Sequence, residues 1–202
     1  VSGNGQRELV EAITGLRKAS SGAVRLNGAD VTNASARVVA SKGIAHVPED
    51  RTGVGTAPDL SIADNLIMKT YRDAPIARRF SIDAGAVKRF ANRLRDVYSI
   101  ASPSVETEAR LLSGGNLQRL ILAREIASAP RLLVAVQPTR GLDVGAITTV
   151  HRLLLEQRGA GSATILLSED LDEVLALSDR VAVIYEGRIV GLFDADEAEV
   201  GD

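Results

Sequence analysis

At 202 residues, with 45% hydrophobic and 25% charged side chains, the chain suffices for one well-buried domain, or one domain with a small added lobe. A formal net charge of -2 argues against a protein held on nucleic acid by a general basic field, and the complete lack of cysteine excludes disulfides, thiolate metal sites and cysteine nucleophiles. The apolar runs, such as Leu132 to Val136, are too short to span a membrane, and no charged-then-apolar leader opens the sequence, so neither insertion nor secretion is expected.

Val1 and Ser2 lead directly into Gly3-Asn4-Gly5, and Leu9, Val10, Ile13 and Leu16 follow at helical spacing with Gly15 near the stop. Asn27-Gly28 between two short apolar stretches predicts a hairpin within Ala23 to Val31. Ile44 to Val47 reads as a short buried strand closed by Pro48, and residues 50–61 have the composition of a loop. The stretch from Ile62 to Tyr98 is helical in pattern and rich in arginine, which predicts a separate helical lobe at about 60–109, with residues 1–49 and 110–202 forming the core. Leu60, Ile62, Leu66, Ile67 and Tyr71 fit the core of that lobe, with one or two of them left to receive a partner.

The second half alternates regularly. Ser113 caps a predicted helix running to about Ala127, a strand follows at Leu132 to Val136, and a further helix covers roughly Ala146 to Arg158. A strand at Thr164 to Leu167, a helix at Leu171 to Leu177 and a hairpin around Glu186-Gly187-Arg188 complete the chain. Continuously apolar strands alternating with helices predict an α/β fold with a mostly parallel sheet covered on both faces.

Two glycine-bearing helix starts are candidates for binding phosphate. At Gly3-Asn4-Gly5 the backbone can turn successive N–H groups toward one point, and the helix start adds partial positive charge. A complete phosphate loop places Lys and then Ser or Thr after its second glycine, whereas this chain has Gln6 and Arg7. Leu112-Ser113-Gly114-Gly115-Asn116 offers a second helix start with unobstructed amides. Each motif alone is more often an ordinary strand-to-helix turn or a capped helix start.

Their order resolves this. Ser113-Gly114-Gly115, the strand ending at Val136, Gln137-Pro138-Thr139-Arg140-Gly141-Leu142-Asp143 and Ser168-Glu169-Asp170 succeed one another so that the whole chain resembles the nucleotide-binding domain of ABC transporters. With Val47-Pro48-Glu49-Asp50-Arg51, it is most similar to the second, degenerate half of the tandem ATPases of simple-sugar and nucleoside importers. The Gln-Pro-Thr form resembles the nucleoside branch.

The resemblance implies a P-loop-type sheet whose first strands would lie before Val1. It implies ATP as substrate, with Gly3, Asn4, Gly5, Gln6 and Arg7 as the phosphate loop and Asp143, in the D-loop at 141–143, as a further nucleotide-binding residue. Ser113, Gly114, Gly115 and Asn116 form the signature that closes the partner half's site. Glu49, Gln137 and Glu169 stand at degenerate catalytic positions, where an active member has Gln, Glu and His. Gln137 lacks the carboxylate of a general base, a loss that costs roughly 10²–10⁴ in rate. Mg²⁺ belongs to the partner half's site, since Val136 and Gln137 offer it no carboxylate here. Arg7 fits either a phosphate partner or a solvated first-turn residue, and Glu169 either a site residue or a helix-start acid. His46 and His151 fit structural roles, so no metal site is expected.

The implied partners are the other nucleotide-binding half, membrane permease subunits and, indirectly, a solute-binding protein, with no nucleic acid. The implied location is the cytoplasmic face of the membrane. A non-transport ATPase acting as a clamp and a purely structural pseudo-ATPase half remain the alternatives.

Overall fold

The computed structural model describes residues 3–79 and 81–195, which fall into two compact units. The first contains residues up to His46, Pro130–Gln137 and the part of the chain from Leu154 onward. It opens with helix α1 (Gln6–Ile13), whose Val10 is buried, and Gly15 ends the segment in the left-handed region at φ 75°. Strands β1 (Arg25–Leu26) and β2 (Ala29–Asp30) form the predicted hairpin, with Asn27 and Gly28 both at positive φ in the turn.

A short helix α2 (Ala36–Ser41) precedes strand β3 (Ile44–Val47). Sequence reading missed α2, because a six-residue Ala-Arg-Val-Val-Ala-Ser run is too short and too rich in β-branched residues to show a helical period.

Strands β4 (Leu132–Val136) and β5 (Ala163–Leu167) run parallel, from Leu132 opposite Ala163 to Val136 opposite Leu167, and β4 is the centre of the three-stranded order β3-β4-β5. The expected α/β fold with parallel strands is present. Val10, Val31, Val39, Ile44 and Val134 form the core of this unit, so helix α1 and the sheet bury the same apolar cluster. Helix α7 (Leu171–Leu177) leads to the antiparallel hairpin of β6 (Arg180–Tyr185) and β7 (Arg188–Asp194), turned at Glu186 and Gly187, both at positive φ.

The second unit contains Val47–Ala129 and Pro138–Leu153. The stretch expected to be helical throughout from Ile62 to Tyr98 divides into α3 (Ile62–Ile67) and α4 (Ala84–Val97). Pro75 lies in the break, where it has no N–H for a helical bond. Ser61 and Asp64 form a reciprocal cap on α3, and the Asp83 carboxylate accepts the Ala86 N–H at 2.9 Å to cap α4.

A single 3₁₀ turn at Ala109–Leu111 precedes α5 (Gly114–Ile126). Leu120, Ile121, Leu122 and Ala123 are all fully buried, so α5 is apolar around most of its circumference and serves as the central helix of this unit. Ile62, Leu66 and Ile67 are buried with it as expected, while Leu60 and Tyr71 stay on the surface. Helix α6 (Val144–Gly159) begins in this unit.

At the rim of α4, Lys88 donates to Glu106 at 2.7 Å, and this bond, with one from Ser104, lowers the Glu106 carboxyl from 4.5 to about 2. A carboxyl depressed by folding stabilises above its ordinary value and loses that contribution as pH falls through the folded one. The small stability difference between wild type and Glu106→Gln is therefore expected at neutral pH and to vanish between about 4.5 and 2. Denaturant midpoints across that window check it.

Candidate functional sites on each unit

In the first unit, Gly5 starts α1 at φ 101° with no side-chain cap, a conformation open to glycine, and a Cβ there would meet the Gly187 Cα at 2.9 Å. The loop is tied to the β6–β7 turn: the Gly187 N–H donates to the Asn4 carbonyl at 2.8 Å and the Glu186 N–H to Asn4 Oδ1 at 3.2 Å. Gln6 then folds back, and its Oε1 accepts the Asn4 N–H at 2.8 Å. One of the amides expected to cradle a phosphate is thus taken by the chain's own carboxamide.

Arg7 is engaged along its own helix. Its Nε donates to Glu11 at 2.8 Å, and Arg17 holds the other oxygen of the same carboxylate at 2.7 Å. The bonds from Arg7 and then Arg17 lower the Glu11 carboxyl below its ordinary value. With its side chain 84% exposed, Arg7 has the geometry of a solvated first-turn residue.

At the end of β4, Gln137 sits at φ 47° and its N–H continues the ladder to the Leu167 carbonyl at 2.7 Å. Its Oε1 accepts the Glu169 N–H at 3.3 Å, so the amide braces the turn after β5. Glu169 is exposed, and the Asp170 carboxylate caps α7 by accepting the Glu173 N–H at 3.1 Å. Val136 is apolar, and among the described residues no group of three or more His, Cys, Asp or Glu side chains could hold a metal ion.

In the second unit, Glu49 pairs with the Arg140 guanidinium. Asp143, expected in the D-loop as a nucleotide-binding residue, accepts the Ala146 N–H at 2.9 Å and so caps α6, a role sequence reading missed. Ser113 caps α5, accepting both the Asn116 N–H at 3.4 Å and Asn116 Nδ2 at 3.0 Å, while Asn116 Oδ1 takes the Ala101 N–H at 2.8 Å.

The two glycines at the start of α5 differ. A Cβ on Gly115 would meet Ala146 Cβ at 3.2 Å, so close approach to α6 accounts for that glycine. A Cβ on Gly114 would meet nothing within 4 Å, and its φ lies outside the left-handed region. Nothing in its own fold requires Gly114 to be glycine.

Sequence reading also missed Arg51. Its Nε donates to Gln118 Oε1 at 2.7 Å and its Nη2 to the Arg140 carbonyl at 2.6 Å. The signal was present in the Glu49-Asp50-Arg51 run, but the partners lie 67 and 89 positions away and carry no pattern that local spacing can reveal.

The ABC transporter family model matches residues 1–140. The chain is 47% identical over 197 residues to the guanosine import ATP-binding protein NupO of Bacillus subtilis, covering 98% of this chain and 39% of that one. It is equally 47% identical to a glucose import ATP-binding protein of Haloferax volcanii, covering 100% of this chain and 38% of the other. The chain thus spans about two fifths of the length of these curated relatives.

Among solved structures, a nucleotide-free ATP-binding cassette of an ABC transporter has a TM-score of 0.80 at 22% identity, over 96% of this chain and 78% of that one. A cassette solved as a dimer with ADP and Pi has a TM-score of 0.78 at 20% identity, over 96% of this chain and 82% of its own. These two likenesses establish the fold.

Proposed function

Because the chain belongs to the ABC transporter ATP-binding family, whose model covers residues 1–140, we propose that it is the energy-coupling half of an importer for nucleosides or simple sugars. In this reading its own phosphate loop binds ATP weakly and does not hydrolyse it. Its Ser113–Gly115 helix start instead completes the ATP site of a partner half.

The observation that carries the reading is Gly114. It is exposed, sterically unconstrained and at the positive end of a 13-residue helix, so the demand for a bare backbone there comes from outside the chain. Amides held at this point by the Ser113 cap are set to meet negative charge without reorganising, which is the condition for electrostatic stabilisation of a transferring phosphoryl group. ATP is the substrate, and the partner half supplies the lysine, the magnesium site and the general base. The names of the guanosine and glucose import relatives support transport over a clamp on nucleic acid, with a permease at the cytoplasmic membrane face as the mechanical partner.

At the chain's own loop, Gln6 competes with phosphate for the Asn4 amide. Gln6→Ala is expected to tighten ATP binding a few-fold. Gln6→Lys, which adds a cation, is expected to tighten it about tenfold, or ~1.4 kcal/mol. Calorimetric titration of the purified chain checks both, and weaker binding in either variant contradicts the reading. In the host, loss of the chain is expected to abolish uptake of one nucleoside or sugar, whereas unchanged uptake of all of them counts against transport.

A further inference from the structure

The Arg51 contacts all lie within the second unit and join three of its segments. Arg51 stands on the loop after β3, and Gln118 lies on α5, four residues and one helical turn from Gly114 on the same face. The Arg140 and Pro138 carbonyls, which accept Nη2 at 2.6 and 3.4 Å, belong to the loop that ends in the Asp143 cap of α6. We propose that Arg51 is a positioning residue that locks the start of α5 to loop 138–143, so that the Ser113–Gly115 end holds its place only while that loop is docked. This deepens the proposed function, since it identifies what sets the geometry of the signature.

Three features of the contact argue for a built lock. First, a guanidinium presents donors in a rigid fork, and here Nε and Nη2 serve acceptors on two different segments, which a lysine ammonium on a flexible stem cannot span together. Second, Gln118 is fully buried and its Nε2 has no hydrogen-bond partner. A buried amide left unpaired costs about 1–3 kcal/mol. Leucine or methionine would fill the same space without that cost but would offer Arg51 no acceptor, so the oxygen that receives Arg51 is what the glutamine supplies here.

Third, the hold on residue 140 is reciprocal. Its carbonyl takes Arg51, while its guanidinium returns to Glu49, two residues before Arg51 on the same loop. Burial lowers the Arg51 pKa from its ordinary value, so the fork is partly desolvated and its bonds count for more than at the open surface.

The test is segment-resolved hydrogen exchange on the full protein in which this chain occurs. In Arg51→Met, exchange is expected to accelerate at least tenfold both at 117–120 in α5 and at 142–147 around the start of α6, with 87–97 in α4 unchanged. Arg51→Lys keeps a single donor point and should restore one of the two segments only. Gln118→Met should accelerate the α5 segment alone, and adding it to Arg51→Met should produce no further change at 117–120.

Acceleration confined to 48–57, equal acceleration in α4, or additive effects of the two substitutions would overturn the lock. ATP turnover on the same variants separates the readings. Exchange that responds as described, with turnover unchanged, leaves the lock in place and removes the in-trans role of Ser113–Gly115.

Discussion

Gly114→Asp is expected to lower ATP turnover of the assembled enzyme by roughly 10²–10³, the loss typical of removing one well-placed donor to developing negative charge. Aspartate at this point sets a carboxylate where the γ-phosphate of the partner half would approach. Its effect on the fold is expected to be small and of the opposite sign. The new Cβ meets nothing within 4 Å, and an acid in the first turn of a helix stabilises it by about 0.3–1 kcal/mol. A thermal melt that is unchanged or slightly raised, alongside the lost turnover, separates a contact made in trans from damage to this chain. Unchanged turnover would remove the signature from the mechanism.

The second large effect is on stability. Glu125 is fully buried on α5, where its carboxylate receives Lys69 and, at 3.0 Å, the Nε of Arg124. The Arg124 side chain is itself only 7% exposed and also donates to the Met68 sulfur at 3.5 Å. Glu125→Ala leaves that guanidinium buried without its carboxylate, and breaking a buried pair in this way costs about 3–5 kcal/mol.

Chemical denaturation should show a loss of this size, a large share of what a domain of ordinary stability possesses. Glu125→Gln, which keeps the shape and one acceptor, should lose less. A loss under about 1 kcal/mol in the alanine variant would mean that the pair contributes little beyond its own desolvation cost. The exposed Lys88–Glu106 pair shifts a titration and is expected to change stability little, because water already solvates both partners.

The sheet was legible before the structure because its strands are continuous apolar runs bounded by turn residues. Ile44–Val47 and Leu132–Val136 were read with their observed ends, and Ser113 caps α5 where the sequence places it. Local chemistry suffices for these elements, since a strand buried on both faces needs only apolar side chains and a cap needs only an oxygen at the right offset.

The features that were not legible depend on proximity created by folding. The match of Gln6 to the Asn4 amide is local, but nothing in the residue types distinguishes a carboxamide folded inward from one in solvent. The Arg51 lock joins positions far apart in the chain, and Asp143 reads from sequence as a D-loop residue while its carboxylate caps α6 in the fold. Likewise, the helical pattern over Ile62 to Tyr98 conceals the break at Pro75, because the intervening residues keep an arginine-rich amphipathic composition.

The degenerate positions acquire local partners in the structure. Gln137 braces the turn after β5, Glu49 pairs with Arg140, and Arg7 pairs with Glu11. These three side chains are each engaged within their own unit.

Magnesium-dependent ATP turnover, measured first on this chain alone and then with its partner half, tests this division of labour most directly. No turnover above background is expected for the chain alone, with turnover on assembly that Gly114→Asp removes. Appreciable magnesium-dependent hydrolysis by the chain alone would contradict it.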